Sequence, residues 1–405
     1  MAAEHQTRGI VLSGGGARGA YEAGIVAGIV QVLGERERAP FEIFTGTSVG
    51  AINATWLAAH ADRPDMDVQG LLRQWRTLDL DRHLRIDPLR FLAGPSLGPL
   101  LARLRGESNA RWGRSVLDPR ALEAIVEQEL PYARLHRNVR AGTVKALVVA
   151  ALQIATGRTM MFAELAPGRI LRFSSDPSRV GQCEQITAHH VLASAAIPLL
   201  FPARRIGEHF YADGGVRFNT PIAPAIRCGA RKIVVISLLY EDDGTQSEES
   251  PMGARMEASY PSLIFLLGKV LNALLLDPVK YDLQVLERLN EIVRTLEETL
   301  EPDEMARMRR VVGEGRGLPY ERIETLVFRP SMDIGELASE HTRHIEVRAL
   351  STAVFAGAAR LRGELESDLL SFILFDGAFA ERLIALGRKD ALARADEIRG
   401  FFEDD

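Results

Sequence analysis

Three glycine-rich clusters in this 405-residue chain place reactive residue types beside backbone that only glycine tolerates. The first is GGGARG at 14–19, directly after the strand-like run GIVLS. Gly14, Gly16 and Gly19 match G-x-G-x-x-G between a strand and a helix, an arrangement that cradles a dinucleotide pyrophosphate. That use calls for an acid at the end of the second strand, to hold a ribose. Here the second strand ends in Thr45, Gly46, Thr47 and Ser48, and Glu35 and Glu37 lie before it, so the dinucleotide reading is disfavoured. The same geometry can instead aim unpaired N–H groups of a helix N-terminus at a developing oxyanion.

The second cluster, GTSVG at 46–50, supplies a matching nucleophile. A tight strand-to-helix turn pushes out the hydroxyl of Ser48, and Gly46 and Gly50 permit a backbone that side chains would block. The helix start favours negative charge on the serine oxygen. Taken alone, the pattern is equally a glycine turn with an N-capping serine. A serine nucleophile also needs a base. Among nine histidines, His189 and His190 sit in a predicted helix, His209 in a hairpin, and His341 and His344 in a distant charged segment. The third cluster offers a better candidate: Asp213 in YADGG, where Gly214 and Gly215 follow a β-type run and allow close backbone approach. An Asp in such a place is also a common turn former.

The three clusters, in this order and spacing and with the Pro-stopped ASAAIPLLFP before the last, resemble the patatin-like phospholipases, the plant storage acyl hydrolases and their bacterial relatives. The resemblance covers roughly residues 8–240. It implies that Gly15 and Gly16 supply oxyanion N–H groups with Arg18 supporting the loop, and that Ser48 is the nucleophile and Asp213 the general base of a dyad without histidine. All these positions are intact, with DGG in place of the commoner DGA. The activity implied is acyl hydrolysis of lipid esters of the phospholipase A or lysophospholipase kind, without metal or organic cofactor. Other uses of the fold stay open: an acyltransferase with the same dyad, a catalytically silent lipid-binding module, or an α/β-hydrolase triad drawing on His341 or His344.

Positioning these clusters takes strand–turn–helix units. Two occur within the first 60 residues, the second built from Phe41–Phe44 and AINATWLAAHA, and they argue for an α/β fold: a three-layer αβα sandwich on a mostly parallel sheet. Residues 62–140 read as a helical insertion without clear strands, with a helix after Asp118 and Pro119. Strands are expected at Val144–Gln153, Thr159–Ala163 and Ile170–Ser174, a hairpin with its turn near Gly207, and a buried strand at Lys232–Leu239. Beyond residue 240 an acidic loop precedes a helix at Ser262–Leu276 and another after Pro278. In the latter, Leu286, Leu289, Val293, Leu296 and Leu300 form a narrow seam suited to another helix. A strand at Ile323–Phe328 and a helical C-terminus follow. The domains expected are 8–240 for catalysis and 241–405 as a mainly helical extension packed on it.

Composition bounds the partners. Lys and Arg number 49 against 54 Asp and Glu, but residues 1–240 hold 29 against 21 and residues 241–405 hold 20 against 33. A net negative chain without a dense basic run disfavours nucleic acid. The basic half, and within it 14 basic against 8 acidic residues in 73–145, suits an anionic membrane face. Cys183 and Cys228 fit no metal spacing and read as reduced thiols. With no signal peptide or spanning segment read, the expected location is cytoplasmic, extending to a peripheral position at the inner membrane face.

Overall fold

The computed structural model describes residues 6–79, 85–86, 117–118, 120–170, 176–198, 200–241, 269–270, 272–273, 278–316, 319–344 and 367–403. β1 (Arg8–Leu12) leads through a 3-10 turn at Gly16–Arg18 into α1 (Gly19–Leu33), and β2 (Ile43–Thr47) leads through Ser48 into α2 (Val49–Ala59). Next come α3 (Val68–Arg76), a short ladder of β3 (Arg85–Ile86) with β4 (Leu117–Asp118), α4 (Arg120–Gln128) and α5 (Tyr132–Arg140). β5 (Ala146–Gln153), β6 (Arg158–Leu165) and β7 (Arg179–Cys183) precede α6 (Ala188–Ser194), the hairpin of β8 (Arg204–Ile206) and β9 (His209–Asp213), α7 (Ile222–Arg227) and β10 (Lys232–Ile236). The chain continues with α8 (Pro278–Thr299), α9 (Pro302–Arg316), β11 (Glu324–Phe328), α10 (Ile334–His344), α11 (Ser367–Ile373), α12 (Gly377–Ala393) and α13 (Ala395–Phe402).

The central sheet runs β11-β10-β1-β2-β5-β6-β7. Its first five strands are parallel, β6 is antiparallel to β5, and β7 is parallel to β6. β9 lies antiparallel beside the end of β5, pairing Asp213 with Ala151, and β8 pairs with β9. β1 has β2 on one side and β10 on the other, so the strand order reverses there. In open α/β sheets a ligand crevice forms at such a point, outside the carboxyl ends of the strands. Both the glycine loop and the Ser48 turn sit at those ends.

Alternation along the strands feeds two cores, one on each face. Ile10 and Leu12 join a cluster with α1, α2, α6 and α12, whereas Val11 joins Ile222, Ala225, Leu283 and Leu286 from α7 and α8. This is the three-layer αβα sandwich with helical additions. α1 is buried along its length from Gly19 to Ile29 because α12 covers its outer side. The two helices approach so closely that a Cβ at Gly24 would collide with the Ile384 carbonyl.

Several expectations change. Of the seam on α8, Leu286 packs, with Leu283 beside it, among residues of α7 and the second face of the sheet. The segment 62–140 holds the β3–β4 ladder as well as helices. Ile170 lies outside any strand, and 171–175 are outside the described residues; the sheet edge is β7, whose RVGQC offers a single β-branched residue and so little signal. The boundary at residue 240 falls between β10 and β11, which are neighbours in one sheet. The acidic loop and most of Ser262–Leu276 are outside the described residues; 269–270 and 272–273 are helical. Among the described residues no helix is long and apolar enough to cross a membrane.

Candidate active site

The turn after β2 is built by exclusion. Side chains at Gly46 and Gly50 would collide with the Gly50 carbonyl and the Leu12 carbonyl, so the strand end and the helix start can close on each other only as glycine. Ser48, between them, is forced to φ 55° and ψ −127°. A non-glycine residue there costs on the order of 1–3 kcal/mol, which the surrounding structure must offset. The strained turn aims the hydroxyl at β9. Ser48 Oγ donates to Asp213 Oδ2 at 2.6 Å, and the nucleophile candidate is 2% exposed.

Asp213 ends β9 and is fully buried. Its backbone N–H donates to the Ala196 carbonyl at 2.8 Å, and its Oδ1 accepts the Gly215 N–H at 2.7 Å. Gly214 is required because a Cβ there would strike the Ala150 carbonyl. Burial pushes the carboxyl up to about 7, against the opposing pull of hydrogen bonds from Ser48 and Gly215. The structure therefore brings together a serine hydroxyl and a carboxylate whose proton affinity suits exchange near neutral pH.

The glycine loop flanks this pair. Gly16 has φ +57°, and the place of its missing side chain is taken by the Phe372 carbonyl. Among the described residues the N–H groups of Gly15 and Gly16 have no acceptor, as at any uncapped helix start. Gly14 and Asn219 exchange two hydrogen bonds, Gly14 N–H to Oδ1 at 2.9 Å and Nδ2 to the Gly14 carbonyl at 3.0 Å, which fixes the loop beside Ser48. A side chain at Gly19 would meet Val49 on the nucleophile helix. Arg18 points away from the pocket: its Nε donates to Ser371 Oγ at 2.8 Å, Nη2 to Asn272 Oδ1 at 3.3 Å, and its guanidinium lies 4.4 Å from the Phe372 ring centre.

Deeper supports link the helices. Ser194 Oγ accepts the Ser48 N–H at 2.9 Å and donates to the Ala150 carbonyl at 2.6 Å, tying the turn to α6 and β5. Asn53 Nδ2 donates to Glu22 Oε2 at 2.9 Å and to the Gly19 carbonyl at 3.0 Å, while Trp75 Nε1 donates to Asn53 Oδ1 at 3.1 Å. Complete burial raises the Glu22 carboxyl well above the usual carboxylate range, against the pull of the hydrogen bond from Asn53. Ser194, Asn219, Ser371 and Glu22 escaped the sequence reading. ASAA inside an apolar helix was the one visible signal, a small hydroxyl with no reason to be there.

The histidines go elsewhere. His341 Nε2 bonds Asp376 Oδ1 at 3.0 Å, where Asp376 caps α12, and His190 packs on Phe162 and pairs with Glu184. His344 is described only in its backbone. No imidazole among the described residues bonds Ser48. Groups of three or more His, Cys, Asp or Glu arranged to hold a metal are also absent among the described residues.

Ser48 and Gly16 open into a pocket with largely apolar walls, Val126, Leu192, Ile197, Phe201 and Phe375 among them. A second pocket, walled by Trp56, Leu71, Trp75 and Leu130, shares Val49, Ile52, Val126 and Phe375 with the first. The charged residues lining the two are Glu129 and an ion pair of Glu123 with Arg204.

Comparison with known proteins agrees with this geometry. Residues 10–226 match the family model of the patatin-like phospholipases, and that span includes all three glycine clusters. A curated protein of Pseudomonas aeruginosa, described as a cGAMP-activated phospholipase, is 27% identical over 213 residues; the match spans 52% of this chain and 53% of that protein. Two solved structures are similar at lower identity. VipD from Legionella pneumophila gives a TM-score of 0.31 at 14% identity, over 95% of this chain and 92% of that one. Human GIVD cytosolic phospholipase A2, in complex with methyl gamma-linolenyl fluorophosphonate, gives 0.41 at 12% identity, over 98% of this chain and 58% of that one. On the match to more than half of its length, the chain belongs to the patatin-like phospholipase family, a group of lipid hydrolases.

Proposed function

We propose that the protein hydrolyses carboxylic esters of lipids through Ser48 and Asp213. Ser48 Oγ attacks the ester carbonyl while its proton passes to Asp213 Oδ2. Negative charge on the former carbonyl oxygen is met by the N–H groups of Gly15 and Gly16. Collapse expels the alcohol or lysolipid, which takes the proton from Asp213. Water then attacks the acyl group on Ser48, giving a proton to Asp213; the bond from the acyl carbon to Ser48 Oγ breaks, Oγ takes that proton from Asp213, and the fatty acid departs.

The observation that carries this reading is the 2.6 Å hydrogen bond between Ser48 and a buried carboxyl, at the head of an apolar pocket. Arg18 and Asn219 support the loop and do not meet the ester. The apolar continuation past Val126 and Phe375 suits a fatty acyl chain. A serine-directed fluorophosphonate tests the chemistry: Ser48 is expected to be labelled, and Ser48→Ala and Asp213→Asn to lose both labelling and ester hydrolysis. Folded wild-type protein that resists labelling would sink the proposal. Because the curated relative is named for activation by cGAMP, the assay is run with and without that nucleotide.

A further inference from the structure

We propose that the free end of the β5–β9–β8 ladder is a docking surface for an anionic phospholipid bilayer. Arg205 pairs directly with Phe210, and Gln153 with Tyr211, so the next residue of the ladder, Ile154, falls opposite Phe210; its N–H donates to the Phe210 carbonyl at 2.9 Å. Directly paired residues present their side chains on one face of a sheet, which lines up Arg205 on β8 and Phe210 on β9 with Ile154 in the turn that follows β5. Tyr211, one residue on, turns to the other face and is buried against Phe162. Phe210 and Ile154 instead remain 49% and 50% exposed.

The position of the row matters as much as its composition. Ala151 is the register partner of Asp213, and Ile154 lies three residues further along, roughly 10 Å beyond the proposed base. β8 begins immediately after Phe201 and Pro202, which wall the Ser48 pocket. An exposed apolar pair about this far from the proposed base, on the ladder that carries it, is where a lipid surface would have to lie.

Charge selects the kind of surface. Arg217 is exposed beside the row, its Nη1 donating to the Gly157 carbonyl in the turn next to Ile154. With Arg205 it makes two cations. The acids nearby are Glu208 at the hairpin turn and Asp176, which is held by Arg179 and acts on Arg217. Apolar side chains flanked by arginine suit the headgroup boundary of an anionic leaflet. This face differs from the one that charge counting picks, in 73–145, of which 87–116 lie outside the described residues. Docking itself stands apart from the catalytic proposal; its productive orientation rests on that reading.

Full-length protein carrying Ser48→Ala, which leaves the lipid intact, is mixed with vesicles of phosphatidylcholine alone or with an equal share of phosphatidylglycerol, and binding is read by flotation. Binding is expected to need phosphatidylglycerol and to weaken with salt. Phe210→Ser with Ile154→Ser, and separately Arg205→Glu with Arg217→Glu, should each weaken it about tenfold or more. In an otherwise wild-type background both pairs should keep turnover of a soluble short-chain ester within about twofold. A separate Phe210→Trp variant should bind at wild-type strength, with blue-shifted fluorescence on vesicles. Undiminished binding by both double variants overturns the proposal. So does a wild-type dimer that Phe210→Ser disperses while vesicles are ignored, since the row would then be a protein interface. Vesicle binding as expected, but with no ester turnover by the wild type, would remove the hydrolase reading and leave the docking surface standing.

Discussion

Replacing Asp213 by Asn should abolish activity and at the same time stabilise the protein, by an amount that grows with pH. The carboxyl is fully buried and titrates at about 7 in the folded protein, against its ordinary value of 3.8. Between these values the folded state holds a proton that the unfolded chain releases. The stability this group contributes is therefore fully present below about pH 4 and is lost as the pH rises through 7. The resulting cost of carrying the acid is about 2 kcal/mol at pH 5 and about 4 kcal/mol above pH 8. An amide escapes that cost. Its oxygen can still accept the Gly215 N–H, but its NH₂ replaces the acceptor of the Ser48 hydroxyl, which offsets about 1 kcal/mol. The variant should thus be more stable than wild type by about 1 kcal/mol at pH 5 and about 3 kcal/mol near pH 8.5. Urea unfolding followed by far-ultraviolet circular dichroism at the two pH values measures both gaps. A gap that fails to widen with pH, or a variant weaker than wild type at pH 8.5, would refute the assignment of Asp213 as a carboxylate ionised at desolvation cost.

The same titration predicts an acid limb in kcat/KM centred near pH 7, falling about tenfold per pH unit below it, because the base must be ionised in the free enzyme; a flat profile from pH 5 to 8 would count against it. Ser194→Ala strips a partner from both the Ser48 N–H and the Ala150 carbonyl and should cost about 1–3 kcal/mol in denaturant unfolding, with loss of activity. Ser371→Ala removes the Nε partner of Arg18 while the Phe372 ring still holds the guanidinium. It should lower kcat about tenfold with little change in KM, and Ser371→Thr should restore most of it.

The parts of the site that could be read from the chain are those where a backbone contact leaves room for glycine alone. Gly46, Gly50 and Gly214 each face a carbonyl that a Cβ would strike, and such requirements are written locally. The strands β1, β5 and β10 were equally legible, residues 10–12, 146–151 and 233–236 being apolar and buried on both faces; β2, read at Phe41–Phe44, lies at Ile43–Thr47 because its Thr-Gly-Thr end carries little apolar signal. What could not be read are the partners that only folding brings together. Ser194 lies 146 positions from Ser48 and looks like any small helix residue, and Ser371 lies 353 positions from Arg18 in a stretch without a motif. β7 escaped because an edge strand packs on one side only and needs few β-branched residues.

These long-range partners bear on how the family fold and the rest of the chain divide the work. The family match ends at residue 226, yet the loop proposed to hold the oxyanion is anchored from beyond it. Arg18 is held by Asn272, Ser371 and Phe372, and the Phe372 carbonyl fills the space that Gly16 leaves. A loop with positive φ at Gly16 and unpaired N–H groups at Gly15 and Gly16 is held only in part by its own hydrogen bonds, so what packs behind it also sets its shape. α11 does that from one side, and α12 clamps α1, the helix the loop feeds, from the other. Removing residues 241–405 would take away both, along with β11, and would leave β10, apolar from Ile233 to Ile236, as an open sheet edge. The extension therefore does for the glycine loop what β5 and α6 do for the Ser48 turn, and a chain cut after residue 240 is expected to lose both its solubility and its ester hydrolysis, measured by sedimentation and by turnover of a short-chain ester.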